Sequence, residues 1–146
     1  MNIIHINNEN IYILEKFIKN INNKFFTYFS KRDISCINNH KLTIILKNES
    51  DEIGYGHIDY ENNIHWLGIC ILDKFCGNGY GKLIMNYLIN YFNKNISVSN
   101  NESLYLCVHT NNIPALKLYE KYNFKIIDEI KEKNFYKMKY NLNLKS

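Results

Sequence analysis

The chain has 146 residues, a length that suits one domain spanning residues 1–146. Its apolar fraction of 46% and charged fraction of 22% are ordinary for a globular protein and exclude general disorder, collagen-like repeats and a coiled coil. The net charge of +4 comes from scattered lysines and a single arginine, Arg32. This mild and dispersed charge argues against a nucleic-acid partner.

Neither a membrane nor a metal is an expected partner. The longest uncharged apolar stretch, residues 64–72, is far shorter than the roughly 20 residues that cross a bilayer. The N-terminus lacks the basic segment of a secretory signal, so we expect a cytoplasmic protein. The cysteines lack the spacing of a zinc site, which predicts free thiols; they are Cys36, Cys70, Cys76 and Cys107.

Apolar periodicity predicts elements in the order β, α, α, β, β, β, α, β, α, β, β. They are a strand at 2–7, a helix at 9–22, an aromatic helix or loop at 25–29, strands at 42–46, 53–60 and 64–72, a helix at 82–93, a strand at 104–108, a helix at 112–122, and strands at 124–130 and 135–140. This order predicts a mixed α/β (α+β) sheet with helices on both faces.

A glycine-rich turn follows the apolar strand at 64–72 and opens the next helix. It reads Cys76-Gly77-Asn78-Gly79-Tyr80-Gly81-Lys82. Glycines permit positive φ and close approach of a ligand, and the free N–H groups lie at the positive end of the helix dipole. The turn therefore predicts a phosphate site, with an unliganded flexible turn as the alternative. It is not a Walker A loop, because Leu83 stands where Ser or Thr is required.

A second segment carries Asn112, Ala115, Leu118, Tyr119 and Phe124 in the spacing Asn-x-x-Ala-x-x-Leu-Tyr-x-x-x-x-Phe. Together, the glycine turn and this segment resemble the GNAT superfamily of acetyl-CoA-dependent N-acetyltransferases. The resemblance covers nearly the whole chain, and its specific part is residues 64–124.

Two positions depart from the family pattern. Cys76 stands where the family has Gln or Arg, so one side-chain contact to the pyrophosphate is absent while the backbone amides remain. Asn123 replaces the Gly before Phe124, a mild change because Asn tolerates the left-handed conformation.

The resemblance implies the acyl-CoA N-acyltransferase fold, a mostly antiparallel central sheet whose middle strands splay apart. The pantetheine arm of acetyl-CoA would lie between the strands at 64–72 and 104–108. The cofactor-binding residues implied are Ile69, Ile71, Leu72, Cys76, Gly77, Asn78, Gly79, Tyr80, Gly81, Lys82 and Asn112.

The resemblance also implies that Tyr119 is the general acid that protonates the CoA sulfur; a plain packing role is the alternative. Some relatives place a glutamate base where this chain has Cys107. His65 is the best substitute, since a neutral imidazole suits base work. The alternative role for His65 is that of a strand-end histidine bonded to backbone. The alternative bases are His57, His109 and a water chain.

The resemblance predicts acetyl transfer to a primary amine, expected to belong to a small molecule such as an amino sugar, by direct attack on the thioester. We expect a monomer or homodimer, and an acceptor site near the N-terminal helices and residues 30–41. Two alternatives stay open: a peptide or protein amine as the acceptor, and a non-catalytic CoA-binding sensor.

Overall fold

One seven-stranded sheet organises the computed structural model, which describes residues 1–22, 24–97 and 102–141. The strands are β1 (Asn2–His5), β2 (His40–Lys47), β3 (Glu52–Glu61), β4 (Ile64–Ile71), β5 (Leu104–His109), β6 (Phe124–Ile130) and β7 (Phe135–Tyr140). The helices are α1 (Ile11–Lys19), α2 (Tyr80–Asn95) and α3 (Ile113–Lys121). Short 3₁₀ turns occupy Tyr28–Ser30, Ile34–Asn39, Asp73–Phe75 and Lys131–Lys133.

The strand order is β1-β2-β3-β4-β5-β7-β6, and every neighbouring pair is antiparallel except β4–β5. The predicted mixed, mostly antiparallel sheet is therefore confirmed. The prediction differs at the aromatic segment, where Tyr28–Ser30 forms a single 3₁₀ turn and a second one follows at Ile34–Asn39. None of the helices described is long and apolar enough to cross a membrane.

Helices cover both faces of the sheet, as the element order predicts. On one face, Leu14 and Phe17 of α1 pack against the central strands, where Tyr55 is fully buried. On the other face, Ile84 and Phe92 of α2 lie in the larger cluster, together with apolar residues of all the central strands. Each such large apolar side chain contributes roughly 1.5–3 kcal/mol by its burial.

A two-residue turn sets the register between β3 and β4. Asn62 and Asn63 have φ of 55° and 63°, the left-handed values that a tight hairpin turn requires. Glu61 therefore pairs with Ile64, and the pairing continues without a shift to Gly54 and Ile71.

The two middle strands separate after a short contact. The β4–β5 ladder holds His65 opposite Leu104 and Trp66 opposite Tyr105, and the described residues form no further pairs between these strands. Because parallel strands start together here and then diverge, a gap opens toward their carboxyl ends. The predicted splay of the middle strands is present.

Candidate active site

A cavity of about 440 Å³ occupies the gap where β4 and β5 diverge. Leu67, Gly68 and Ile69 line it from β4, and Cys107, Val108 and His109 line it from β5. Asn112 and Tyr119 of the α3 segment close one side. The opposite side is formed by the aromatic segment at 25–28, by Arg32 and by the polar side chains of β3.

The edge of β4 facing the gap carries unpaired backbone groups. The N–H of Leu72 donates to the carbonyl of Ile53 at 3.1 Å, so the even-numbered residues of β4 bond to β3. In an antiparallel ladder the intervening residues turn their N–H and C=O the other way. Ile69 and Ile71 therefore present backbone donors and acceptors to the gap, as an extended ligand arm requires. Leu67 adds only its carbonyl, because its N–H belongs to the short ladder with β5.

Leu72 does not belong to this edge, which corrects its place among the expected cofactor contacts. Its N–H is bonded to Ile53, and its carbonyl accepts the N–H of Phe75 at 2.9 Å. Its side chain is buried in the α1-side cluster. Neither its backbone nor its side chain remains available to a ligand.

The glycine turn presents its backbone to open space. Gly77 and Gly79 both have φ of +83°, and a Cβ built at either position would meet no atom of the described residues within 4 Å. Gly79 is the N-cap of α2 and supplies no side-chain cap to the first-turn N–H groups. These groups lie at the positive end of a 16-residue helix, an arrangement that favours an anion.

The other residues of the turn hold its shape. The side-chain amide of Asn78 donates to the carbonyls of Phe75 (3.1 Å) and Cys76 (3.4 Å). Burial raises the pKa of the Cys76 thiol, which lies 3.6 Å from the Leu72 carbonyl, so Cys76 supplies no charge to replace a Gln or Arg contact.

Tyr80, Gly81 and Lys82 begin α2. A Cβ on Gly81 would lie 3.1 Å from Cδ2 of Leu118, so this glycine permits close packing of α2 on α3. Tyr80 packs edge-on against Phe75, and the Lys82 side chain is exposed at the first turn.

Asn112 and Tyr119 are brought together at the cavity by α3. The Oδ1 atom of Asn112 accepts the N–H of Ala115 at 3.4 Å and caps the helix. Tyr119 packs against Phe124, and burial raises the pKa of its hydroxyl, which stays protonated at neutral pH. Among the described residues, nothing hydrogen-bonds this hydroxyl, so a ligand in the cavity meets a free O–H group.

His65 lies outside the cavity, contrary to its expected place in the site. It points to the α2 side of the sheet, with its ring 6.1 Å from that of Phe92 and 4.6 Å from that of Tyr60. Its nearest acidic oxygen, in Glu102, is 3.9 Å from Nδ1, and neither ring nitrogen has a hydrogen-bond partner in the described part of the chain. Burial lowers the pKa of His65, but the ring reaches no lining surface.

His57 lines the cavity, whereas His65, the histidine that the sequence analysis preferred, does not. Tyr55, His57, Asp59 and Glu61 alternate along β3, and this period-two run of polar side chains is the signal in the sequence. Nδ1 of His57 lies 2.6 Å from the hydroxyl of Tyr55. Burial, together with His40 and Arg32, lowers the pKa of His57 well below its usual value, so the imidazole is neutral.

A directional chain of hydrogen bonds borders the same wall. The hydroxyl of Tyr28 donates to Oδ2 of Asp59 at 2.6 Å, so its oxygen accepts from Nε2–H of His40 at 2.8 Å. Nδ1 of His40 then accepts from the hydroxyl of Thr43 at 2.8 Å. Burial lowers the pKa of His40 to about 4. The hydroxyls of Tyr28 and Thr43 and the Nε2–H of His40 each have an acceptor within this hydrogen-bonded series.

His109, Cys107 and Arg32 complete the polar lining of the cavity. Nδ1 of His109 accepts the N–H of Asn111 at 3.1 Å, which leaves the proton on Nε2. Burial raises the pKa of the Cys107 thiol, so it is protonated at neutral pH. At the rim of the cavity, Nη2 of Arg32 lies 3.7 Å from Oε2 of Glu61 and forms an ion pair with it. No cluster of three or more metal-ligating side chains occurs within the described ranges.

The sequence matches the family described as "Acetyltransferase (GNAT) family" over residues 9–124. A search among curated proteins gave no match.

Solved structures share the fold. The acetyltransferase of GNAT family from Streptococcus pneumoniae aligns over 94% of this chain and 96% of its own, with 20% identity and a TM-score of 0.73. Arabidopsis thaliana Naa50, in complex with the bisubstrate analogue CoA-Ac-MVNAL, aligns over 97% and 98%, with 18% identity and a TM-score of 0.71. Spermidine N-acetyltransferase from Vibrio cholerae, in complex with CoA and spermine, aligns over 94% and 92%, with 16% identity and a TM-score of 0.67.

Proposed function

Because the chain belongs to the acetyltransferase (GNAT) family, we propose that it transfers the acetyl group of acetyl-CoA to a primary amine of a small molecule. One observation carries the proposal: the gap between β4 and β5 joins an edge of free backbone groups to a pocket with carboxylates and aromatic walls. The first part suits a pantetheine arm, and the second suits an amine.

The cofactor would enter from the glycine turn. Its pyrophosphate would lie on the amides that follow Gly77 and Gly79, where the open space admits an anion. The pantetheine amides would pair with the backbone of Ile69 and Ile71 and with the carbonyl of Leu67, and Asn112 lines the cavity where it can contact the arm. The thioester would then reach the level of Gly68 and Tyr119.

The acceptor would occupy the side of the cavity formed by β3 and the aromatic segment. Asp59, buried and lining the cavity, provides a carboxylate that suits an ammonium group, whereas Glu61 at the rim is paired with Arg32. Phe25, Trp66 and Phe135 give apolar walls that suit the carbon faces of a sugar or a short aliphatic amine. The volume available to both substrates, about 440 Å³, favours a small acceptor.

The reaction would be direct attack. The nitrogen lone pair of the neutral amine forms the C–N bond with the thioester carbon, and the carbonyl electron pair moves onto oxygen. When the carbonyl re-forms, the C–S bond breaks with its electron pair on sulfur, and the Tyr119 hydroxyl donates a proton to that sulfur. The nitrogen loses its proton to water, and water returns a proton to the Tyr119 phenolate, so the hydroxyl is restored at the end of the cycle.

The absence of a strong base among the described cavity residues favours an acceptor that is partly neutral near pH 7. An alkyl amine such as the lysine side chain has a pKa near 10.4, whereas ring oxygens lower the pKa of amino-sugar amines. An amino sugar is therefore the acceptor we favour among small molecules.

A thiol-release assay with acetyl-CoA tests the proposal on a panel of an amino sugar, an aliphatic diamine and a peptide. We expect the amino sugar to react fastest, and kcat/KM for each amine to rise about tenfold per pH unit until the pKa of that amine is reached. Faster reaction of the peptide would establish the peptide alternative. Acetyl-CoA binding without transfer to any amine would establish the sensor alternative.

A further inference from the structure

We propose that His57 donates a hydrogen bond from Nε2–H to the acetyl carbonyl oxygen as that oxygen becomes the oxyanion of the tetrahedral intermediate. The inference deepens the acetyl transfer proposed above and rests on it. Three observations on the described residues carry it: the place of the ring, its single local partner and its neutral state.

The ring lies against the β4 edge of the gap. His57 pairs with Gly68 across the β3–β4 ladder, and a Cβ at position 68 would lie 2.5 Å from Cε1 and Nε2 of the ring. Any side chain there would displace the ring, so the glycine provides the clearance. Leu67 and Ile69, on either side of Gly68, turn their backbone groups toward the gap. Nε2 therefore lies beside the position proposed for the thioester.

Tyr55 determines which ring nitrogen carries the hydrogen. Its hydroxyl is fully buried, burial raises its pKa well above the usual value, and Nδ1 of His57 at 2.6 Å is its partner among the described residues. If Nδ1 donated instead, the hydroxyl hydrogen would be left unpaired in the interior, which is costly. Tyr55 therefore donates to Nδ1, and the single hydrogen of the neutral imidazole is on Nε2.

The surroundings keep His57 uncharged. Its ring faces Tyr55 on its own strand, Tyr28 on the 3₁₀ turn and His40 on β2, with Arg32 nearby. Asp59, the nearest carboxylate on β3, is bonded to Tyr28 and not to His57. A neutral N–H group that is held in place stabilises the negative charge that develops on the carbonyl oxygen. The N–H group itself accepts no proton.

The role is distinct from that of a general base. The lone pair of Nδ1 is used by the Tyr55 hydroxyl, and Nε2 has no lone pair to offer while it carries its hydrogen. In the first step, the carbonyl π electrons move to the oxygen that Nε2–H contacts. In the second step, the same electrons re-form the carbonyl as the C–S bond breaks, and His57 ends the cycle unchanged.

Two variants of similar size separate a donor from a base. Gln places an amide N–H near the position of Nε2, whereas Leu has no polar hydrogen. We expect His57→Leu to lower kcat about 10²–10³-fold, as loss of one oxyanion donor does elsewhere, and His57→Gln to lower it less than about tenfold. The Kd for acetyl-CoA should be unchanged in both. Equal losses in the two variants, or full turnover by His57→Leu, would overturn the role of His57.

The tautomer is measured directly on the wild-type protein by two-dimensional ¹H–¹⁵N NMR of the imidazole. We expect the Nε2–H form, with no protonation between pH 8 and pH 6. An Nδ1–H form or a charged ring would overturn the proposal even if every variant fails to fold. If the wild type releases no thiol with any amine, the acetyl transfer and the oxyanion role fail together. Transfer by the wild type with equal losses in the two variants would refute only His57.

Discussion

Tyr119 lines the cavity, and its ring packs against Phe124. Replacing Tyr119 by Phe removes the proton donor and keeps the ring. We expect kcat for acetyl transfer to fall at least about tenfold, because a thiolate must then leave without a proton, while KM for acetyl-CoA stays within about twofold. Steady-state thiol release at varied acetyl-CoA concentration measures both parameters.

Two other tyrosines serve as comparisons for Tyr119→Phe. The hydroxyl of Tyr122 donates to Oδ1 of Asn86 at 2.7 Å and ties α3 to α2, so Tyr122→Phe should lower the free energy of unfolding by about 1 kcal/mol with little change in kcat. Tyr12 is 67% exposed, and Tyr12→Phe should be neutral in both measurements. If Tyr119→Phe keeps full turnover with acetyl-CoA bound, Tyr119 is a packing residue.

Gly79 combines a positive φ with open space where a side chain would point. Gly79→Ala should cost about 1–2 kcal/mol in stability, because an L-residue is strained at φ of +83°, and should raise KM for acetyl-CoA because the Cβ stands in the approach of the pyrophosphate. Thermal unfolding with and without acetyl-CoA separates the two effects.

Asn at the same position distinguishes backbone strain from steric blocking. Asn tolerates the left-handed conformation, so Gly79→Asn should recover much of the stability lost in Gly79→Ala. Its side chain still fills the open space, so the stabilisation by acetyl-CoA should stay reduced. Wild-type affinity for acetyl-CoA in Gly79→Asn would show that the turn does not hold the pyrophosphate.

At the level of elements, β4 pairs with β3 along its whole length but with β5 only near its start. Its later residues therefore form an edge that faces the gap. Ile69→Pro removes an N–H that faces the gap and leaves the ladder to β3 intact, and proline is tolerated on such an edge. We expect Ile69→Pro to weaken acetyl-CoA binding about tenfold relative to Ile69→Ala, which loses similar side-chain volume and keeps the N–H. Calorimetric titration of both variants gives the comparison.

The neighbouring position gives the opposite prediction. Cys70 pairs with Tyr55 and turns its backbone toward β3, so Cys70→Pro removes a bond of the central ladder and should prevent folding. Circular dichroism of Ile69→Pro and Cys70→Pro shows which of the two variants folds. Stable folding of Cys70→Pro, or equal acetyl-CoA affinity in Ile69→Pro and Ile69→Ala, would contradict the assignment of the β4 edge.

At the level of the whole molecule, buried neutral histidines make the fold sensitive to acid. The folded-state pKa of His40 is about 4, and that of His57 is also lowered, against about 6.5 in an unfolded chain. Between these values the unfolded chain binds more protons, so stability rises with pH and is lost as the pH falls below about 6.5. Each such histidine contributes up to about 1.4 kcal/mol per pH unit.

Urea unfolding at pH 7.5, 6 and 5 tests this dependence. The free energy of unfolding should fall toward pH 5, and the slope should be shallower in His40→Gln, which removes one titrating group from the cluster of Tyr28, Thr43, Asp59 and Arg32. An unchanged slope in His40→Gln would show that His40 does not titrate differently in the folded and unfolded chains.

Much of the fold is readable from local sequence. Period-two and period-3.6 patterns predict the seven strands and three α-helices found in the described part of the chain, because one face of each element must be buried wherever it packs. Conformation at single residues is also readable: Asn123, with φ of +69°, adopts the left-handed form expected where the family has glycine. The glycine turn and the α3 motif identify the family because their chemistry lies within short segments.

Contacts between distant segments decided the rest. The sequence alone pointed to His65 and Leu72, but the β3–β4 register turns His65 toward α2 and consumes the backbone groups of Leu72. His57 reaches the cavity because Gly68 lies opposite it, eleven residues away in sequence. A strand's own pattern determines which residues share a face. Which face meets a cavity, and which polar hydrogens already have acceptors there, depends on the partner strands, so only the tertiary structure decides it.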